Sequence, residues 1–210
     1  MIYGVCGFIG SGKNTVGDIL EENGYQKLSF AATLKDATAA IFGWPRHLLE
    51  GDTAESREFR EKNDEFWSER LHGREITPRK ILQQMGTEVM RNNFDQNVWL
   101  YSLERRIDPN KNYVITDARF QNEIKFIKEL GGKIIVVERG EKPIWWNDAL
   151  IANSEPNNDD SRARQRLYGA GVHPSEYSWI GVHEDIHINN NGTLDDLRNV
   201  VTSFLTMQNY

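Results

Sequence analysis

Ile2-Tyr3-Gly4-Val5-Cys6-Gly7-Phe8-Ile9-Gly10-Ser11-Gly12-Lys13-Asn14-Thr15 is the stretch on which the reading of this 210-residue chain turns. An apolar run breaks at Gly7 into G-x-x-x-x-G-K, the P-loop pattern. A short buried strand entering a loop with three glycines turns backbone N–H groups inward, and a helix beginning at Lys13 aims its positive dipole end at the same point. That point is a polyphosphate site. Lys13 is expected to reach the β- and γ-phosphates, with a nearby hydroxyl serving Mg²⁺ directly or through water. The hydroxyl stands one place later than the motif's usual position, because Asn14 follows the lysine and Thr15 comes next.

Composition narrows the partner. A net charge of −6 and a pI near 5.4 argue against a protein that coats nucleic acid, and favour a small anion. With no basic leader and no apolar stretch near the ~18 residues of a membrane span, the chain is expected to be cytoplasmic. Cys6 is the sole cysteine, which excludes an intrachain disulfide and a cysteine-based zinc site and reads as packing. The length suits one α/β domain with an insertion.

Along the chain, strands are expected at 2–6, 25–30, 113–117, 133–138 and 183–189, alternating with helices. Such alternation predicts a five-stranded parallel sheet with helices on both faces, the three-layer P-loop fold. Lys35 follows closely after a strand end, where α/β sheets place ligands. Charge dominates from Thr53 to Arg74, which reads as a mobile helical insertion with a solvated face. Thr77-Pro78 opens a helix whose core face is expected to be Ile81, Leu82, Met85 and Val89. On that helix Arg79, Gln83, Gly86 and Met90 share one stripe, and Lys80, Gln84, Thr87 and Arg91 its neighbour: either a phosphate-and-base face or an ordinary wet one. Phe94 to Ile107 reads as a helix with Trp99 as core or as a stacking platform.

Asp117 stands at the carboxyl end of the Tyr113–Thr116 strand, the Walker B arrangement in which a carboxylate holds Mg²⁺ or its water. Arg119 is two residues on and within reach of a phosphate; Glu123 either joins that site or compensates a helix dipole. From Glu141 to Ile180 regularity fades into an excursion carrying Trp145-Trp146, Asn157 to Asp160 and Arg162, Arg164 and Arg166, arginines suited to a lid or to pairing with nearby acids. Thr193 caps a last helix with Asp196 three residues on; Leu194, Leu197, Val201, Phe204 and Leu205 are its expected buried face.

Taken together, the residues resemble the deoxynucleoside monophosphate kinases of tailed bacteriophages, within the P-loop nucleoside monophosphate kinases where Gly-Lys-x-Thr is familiar. The resemblance rests on the loop Gly7 to Thr15, Ser29-Phe30-Ala31 to Leu34-Lys35, Arg79-Lys80 to Gln83-Gln84-Met85-Gly86-Thr87 with Trp99, Asp117-x-Arg119 with Asn122-Glu123, His173-x-Ser175-Glu176, and Asn190-x-Gly192-Thr193-Leu194. It implies transfer of the γ-phosphoryl of ATP to a deoxynucleoside monophosphate by one kinase domain, with an insertion at about 53–107 and a lid at about 139–182. Gly10, Ser11, Gly12, Lys13, Asn14 and Thr15 would cradle ATP. Lys35, Arg79, Lys80, Gln83, Gly86, Thr87 and Trp99 would form the monophosphate pocket, with Asp117, Arg119 and Glu123 between the nucleotides. Lys13, Arg79, Asp117 and Arg119 would carry catalysis, and Thr15 and Asp117 would serve Mg²⁺. Arg139, Arg162, Arg164 and Arg166 would belong to the lid, and Asn14 replaces an aspartate frequent in the family. Partners would be nucleotides, with neither nucleic acid nor membrane, in a host cytoplasm; a homodimer is allowed. Dephospho-coenzyme A kinase, an adenylate-kinase-like enzyme and a non-catalytic nucleotide-binding regulator remain open. A GTPase fits less well, because Asn110-Lys111-Asn112-Tyr113 lacks the aspartate that reads guanine.

Overall fold

A computed structural model of the chain describes residues 1–154 and 160–207. Asn157, Asn158 and Asp159 of the expected lid lie outside the described residues. In chain order the elements are β1 (Ile2–Cys6), α1 (Lys13–Glu22), β2 (Gln26–Leu28), α2 (Ala32–Phe42), α3 (Ala54–Glu61), α4 (Glu65–Arg70), α5 (Pro78–Gln83) and α6 (Val98–Glu104). There follow β3 (Tyr113–Ile115), α7 (Gln121–Glu129), β4 (Lys133–Glu138), α8 (Trp146–Asn153), α9 (Asp160–Gly169), α10 (Pro174–Tyr177), β5 (Ile186–Asn189) and α11 (Leu194–Met207). They form two compact units: Met1–Ser29 with Ile107–Tyr210, and Phe30–Arg106. The second begins at Phe30, earlier than the insertion expected from Thr53.

The first unit holds a wholly parallel five-stranded sheet in the order β2-β3-β1-β4-β5. From β1 the chain moves outward to β2, returns to place β3 beside β1, then crosses to β4 and β5 on the other side. Strand order therefore reverses at β1, and ligands of open α/β sheets bind outside the carboxyl ends at such a point. The register Gly4↔Ile115 and Cys6↔Val136 brings those ends together around the loop that leaves β1. Apolar side chains alternate across the sheet: Tyr3, Val5, Val114, Ile135, Val137 and Ile188 pack with Val16, Ile19 and Leu20 of α1 and Leu197 and Val201 of α11. The opposite face receives α7, whose Ile124 and Ile127 are buried. Burying such a face contributes about 25 cal/mol per Å² of apolar area, which is what commits these hydrophobic runs to the sheet interior.

Several local expectations change. β5 starts at Ile186 rather than residue 183, because the Asp185 carboxylate accepts the Ile134 N–H (2.8 Å) where a ladder carbonyl would otherwise sit. Leu194 is 56% exposed, since it occupies the first helical position beyond the reciprocal Thr193–Asp196 cap. Among the described residues, the stretch from Glu141 to Ile180 contains three helices, α8, α9 and α10. Their buried residues include Ala149, Ala152 and Ala163, small side chains that let α8 and α9 pack closely without a strong apolar stripe.

In the second unit Trp44, Leu49, Ile76, Ile81 and Leu82 make a core that Phe59 of α3 and Trp67 of α4 join. The charged stretch is thus anchored by its few aromatic residues. Trp67 Nε1–H donates to the Phe42 carbonyl (2.9 Å), and Trp44 Nε1–H donates to Asp64 (2.6 Å). Thr77 caps α5, accepting the Lys80 N–H (3.2 Å). After Gln83 the helix widens to π-helical pitch over Gln84–Arg91. A wider turn rotates every later side chain, so the straight stripes expected for an α-helix do not form, and Val89 is 43% exposed instead of core. Gly86 lies in the widened turn, where a Cβ would stand 2.7 Å from Leu34 Cδ2 of α2. Its missing side chain admits that close approach.

Candidate active site

At the carboxyl end of β1 the loop closes on itself: the Ser11 N–H donates to the Phe8 carbonyl (3.2 Å), and the Gly12 carbonyl accepts the Val16 N–H (2.9 Å). Gly12 adopts φ 103°, which a side-chain-bearing residue rarely takes. The following helix α1 has no side-chain cap and no acidic residue in its first turn, leaving its N–H groups for an anion. Lys13 Nζ donates to the carbonyls of Gly7 (2.9 Å) and Phe8 (2.6 Å). Burial, helped by the Arg119 guanidinium, lowers the Lys13 pKa to about 8. The ammonium is therefore poorly compensated where it stands, and a phosphate would relieve it. Gly10 and Asn14 are exposed, Thr15 half-buried and Ser11 buried.

Beside this loop, the Asp117 carboxylate at the end of β3 accepts from Ser29 Oγ (2.7 Å) at the end of β2. Arg119 is exposed. Glu123 is 2% exposed, and its Oε2 accepts the backbone N–H groups of Arg119 (2.8 Å) and Phe120 (3.1 Å). Buried at the third position of α7, Glu123 fastens the turn that carries Arg119. Thr15 and Asp117 are oxygen donors of the kind a hard cation prefers. Among the described residues no group of three or more His, Cys, Asp or Glu could enclose a metal.

The second unit carries the residues expected for the acceptor. Lys35 Nζ pairs with Glu50 (2.5 Å), which also pairs with Arg46. On α5, exposed Arg79 pairs with Glu61 (2.6 Å) and exposed Lys80 with Glu75. Gln83 and Thr87 are exposed. Trp99 is 7% exposed and its Nε1–H donates to the Gly86 carbonyl (3.0 Å). A freely presented stacking platform is therefore ruled out for Trp99, whose ring packs behind the widened turn and fixes it.

Two features were missed by sequence reasoning. Phe8 of the loop sits among three indoles, with ring centroids 5.7 Å from Trp145, 5.9 Å from Trp146 and 5.0 Å from Trp179. The excursion after β4 is thereby packed against the phosphate loop. Asn190, at the end of β5, donates from Nδ2 to the Ser11 carbonyl (2.8 Å). Of the expected lid arginines, Arg166 binds Asp148 (2.6 and 2.9 Å) and Arg164 donates to the Ala152 carbonyl (2.9 Å), so both hold α9 on α8. Arg139 and Arg162 are exposed.

A phosphate loop at the reversal point of a parallel sheet defines a P-loop nucleotide-binding α/β protein. Residues 48–154 match the family model described as deoxynucleotide monophosphate kinase. A putative deoxynucleotide monophosphate kinase of Acanthamoeba polyphaga mimivirus is 32% identical over 154 residues, 66% of this chain and 74% of the relative. The deoxynucleoside-5'-monophosphate kinase of Escherichia phage T5 is 36% identical over 104 residues, 48% of this chain and 34% of that longer protein. Among solved structures, a dephospho-CoA kinase from Campylobacter jejuni aligns over 98% of this chain and 96% of its own, at 19% identity and a TM-score of 0.46. The chain belongs to the deoxynucleotide monophosphate kinase family. No helix among the described residues is long and apolar enough to cross a membrane.

Proposed function

We propose that the chain transfers the γ-phosphoryl of ATP to a deoxynucleoside monophosphate, giving the diphosphate and ADP. The observation that carries the donor side is the uncapped amino end of α1 with the under-compensated Lys13 ammonium beside it. Phosphoryl transfer asks little covalent work of a protein; it asks that two anions be held in line and their charge offset. The loop N–H groups from Gly10 to Thr15 bind the β- and γ-phosphates, and Lys13 exchanges the Gly7 and Phe8 carbonyls for phosphate oxygens. Arg119, carried on the turn that Glu123 fastens, adds positive charge where negative charge grows in the transition state. Thr15 and Asp117 would hold Mg²⁺, directly or through water, and the ion would supply further charge neutralisation. Arg79 and Lys80 exchange their exposed carboxylate partners for the acceptor phosphate, and Gln83 and Thr87 offer hydrogen bonds to the nucleoside. Gly86 and Trp99 shape the turn that presents them. Belonging to this family supports a deoxynucleotide as acceptor.

Steady-state kinetics of Lys13→Ala and Arg79→Ala tests the assignment. Each is expected to lose at least about a hundredfold in turnover, the scale of one preorganised charge. Lys13→Ala also weakens ATP binding, and Arg79→Ala weakens the deoxynucleotide alone. Near-normal activity in either variant refutes the role given to that residue.

A further inference from the structure

We propose that Asn190 is a positioning residue for the phosphate loop: its side-chain amide sets the orientation of the Ser11–Gly12 peptide. This rests on the reading that the loop binds the phosphates of ATP. In a trans peptide the carbonyl and the N–H lie in one plane and point in opposite directions. Among the described residues no peptide is cis. Asn190 Nδ2 holds the Ser11 carbonyl at 2.8 Å, so the Gly12 N–H must point the other way. Without that tie the peptide is free to flip, and a carbonyl would then face the anion in place of a donor.

The local geometry is built around this contact. A Cβ on Gly12 would lie 2.3 Å from Asn190 Nδ2, so the glycine is needed for the amide's approach as well as for its φ of 103°. Asn190 is 7% exposed, and its own N–H donates to the Glu138 carbonyl (2.7 Å) as β5 ends beside β4. Next to it, Asn191 Oδ1 accepts the Gly140 N–H (2.8 Å), and Asn191 Nδ2 rests on Asn189 Oδ1 (2.8 Å). The segment is thus held on both sides of Asn190. The carboxyl end of β5 is tied into the loop that follows β1.

Equilibrium titration of ATP and of a deoxynucleoside monophosphate into wild type, Asn190→Ala and Asn190→Asp decides the matter. Asn190→Ala should weaken ATP at least about tenfold, one charge-facing donor's worth, while deoxynucleotide affinity stays within about twofold. In Asn190→Asp the ionised carboxylate cannot donate to Ser11, whereas the protonated acid can. Burial beside the Ser11 carbonyl raises the new carboxyl's pKa above the ordinary aspartate range, so the variant's ATP affinity relative to wild type should recover as pH falls from about 8 to about 4.5, with no such recovery for Asn190→Ala. A merely structural tie would lower the melting temperature of both variants and leave this difference absent. Unchanged ATP affinity in Asn190→Ala, or a flat relative profile in Asn190→Asp, overturns the proposal, and so does a wild-type protein that binds no ATP. Should Asn190→Ala fail to fold, the Asn190→Asp profile alone decides. Wild type that binds ATP without turnover overturns the kinase reading instead, and leaves the Asn190 comparison intact.

Discussion

Replacing Glu123 by alanine separates two roles that a glutamate in this place can have. Its carboxylate accepts the N–H groups of Arg119 at 2.8 Å and Phe120 at 3.1 Å from a position only 2% exposed. A hydrogen bond to a charged group contributes ~1.5–3 kcal/mol, and a buried donor left without a partner costs ~1–3 kcal/mol. The expected destabilisation is about 2–4 kcal/mol for Glu123→Ala and about 1–2 kcal/mol for Glu123→Gln, which keeps one neutral acceptor. Urea denaturation followed by far-ultraviolet circular dichroism measures both. Turnover should fall with the displaced Arg119, while the Michaelis constant for the deoxynucleotide stays near wild type. A stability loss below about 1 kcal/mol, with that Michaelis constant raised, would refute the capping role and return Glu123 to direct contact with substrate.

Phe8→Ala removes the ring from its three indole neighbours and should cost about 2–3 kcal/mol, with weaker ATP binding and altered tryptophan fluorescence; a loss under about 1 kcal/mol contradicts the packing role. Burial and Arg119 hold the Lys13 pKa at about 8, below its ordinary value of 10.5, while a bound polyanion favours the ammonium. ATP affinity should therefore be level below about pH 7 and fall as pH rises through 8, and Lys13→Arg, always charged, should remove that fall. The same shift acts on stability with the opposite trend. Between pH 8 and 10.5 the unfolded chain holds the Lys13 proton that the free folded protein has released, so nucleotide-free stability gains from Lys13 as pH rises through that window.

What the sequence made legible was local. The apolar runs of β1 and β4, the glycines and lysine of the loop, and the hydroxyl caps at Thr77 and Thr193 each state their structure within a few residues. Alternation of strands and helices then implies the parallel sheet. What stayed illegible depends on residues far apart. The π-helical turn at Gln84–Arg91 accommodates Leu34 against Gly86 and the Trp99 indole on the Gly86 carbonyl, neither visible in a helical wheel. Glu123 reads the same whether it caps its helix or meets a ligand, since only burial separates the two. Asn190 stands 179 residues from Ser11, and its motif shows an asparagine without showing what it touches. Arg164 and Arg166 are lid candidates by charge, and their contacts with Ala152 and Asp148 of α8 join residues that the sequence does not bring together.

The most direct test of the account is ADP release by the purified wild-type protein from ATP and Mg²⁺, run in parallel with dAMP, dCMP, dGMP, dTMP, their ribonucleotide forms and dephospho-coenzyme A. Turnover is expected with one or more deoxynucleotides, preferred over the matching ribonucleotides. Silence with every acceptor beside measurable ATP binding would contradict it and leave a nucleotide-binding regulator, whereas turnover confined to dephospho-coenzyme A would move the acceptor assignment to another chemistry.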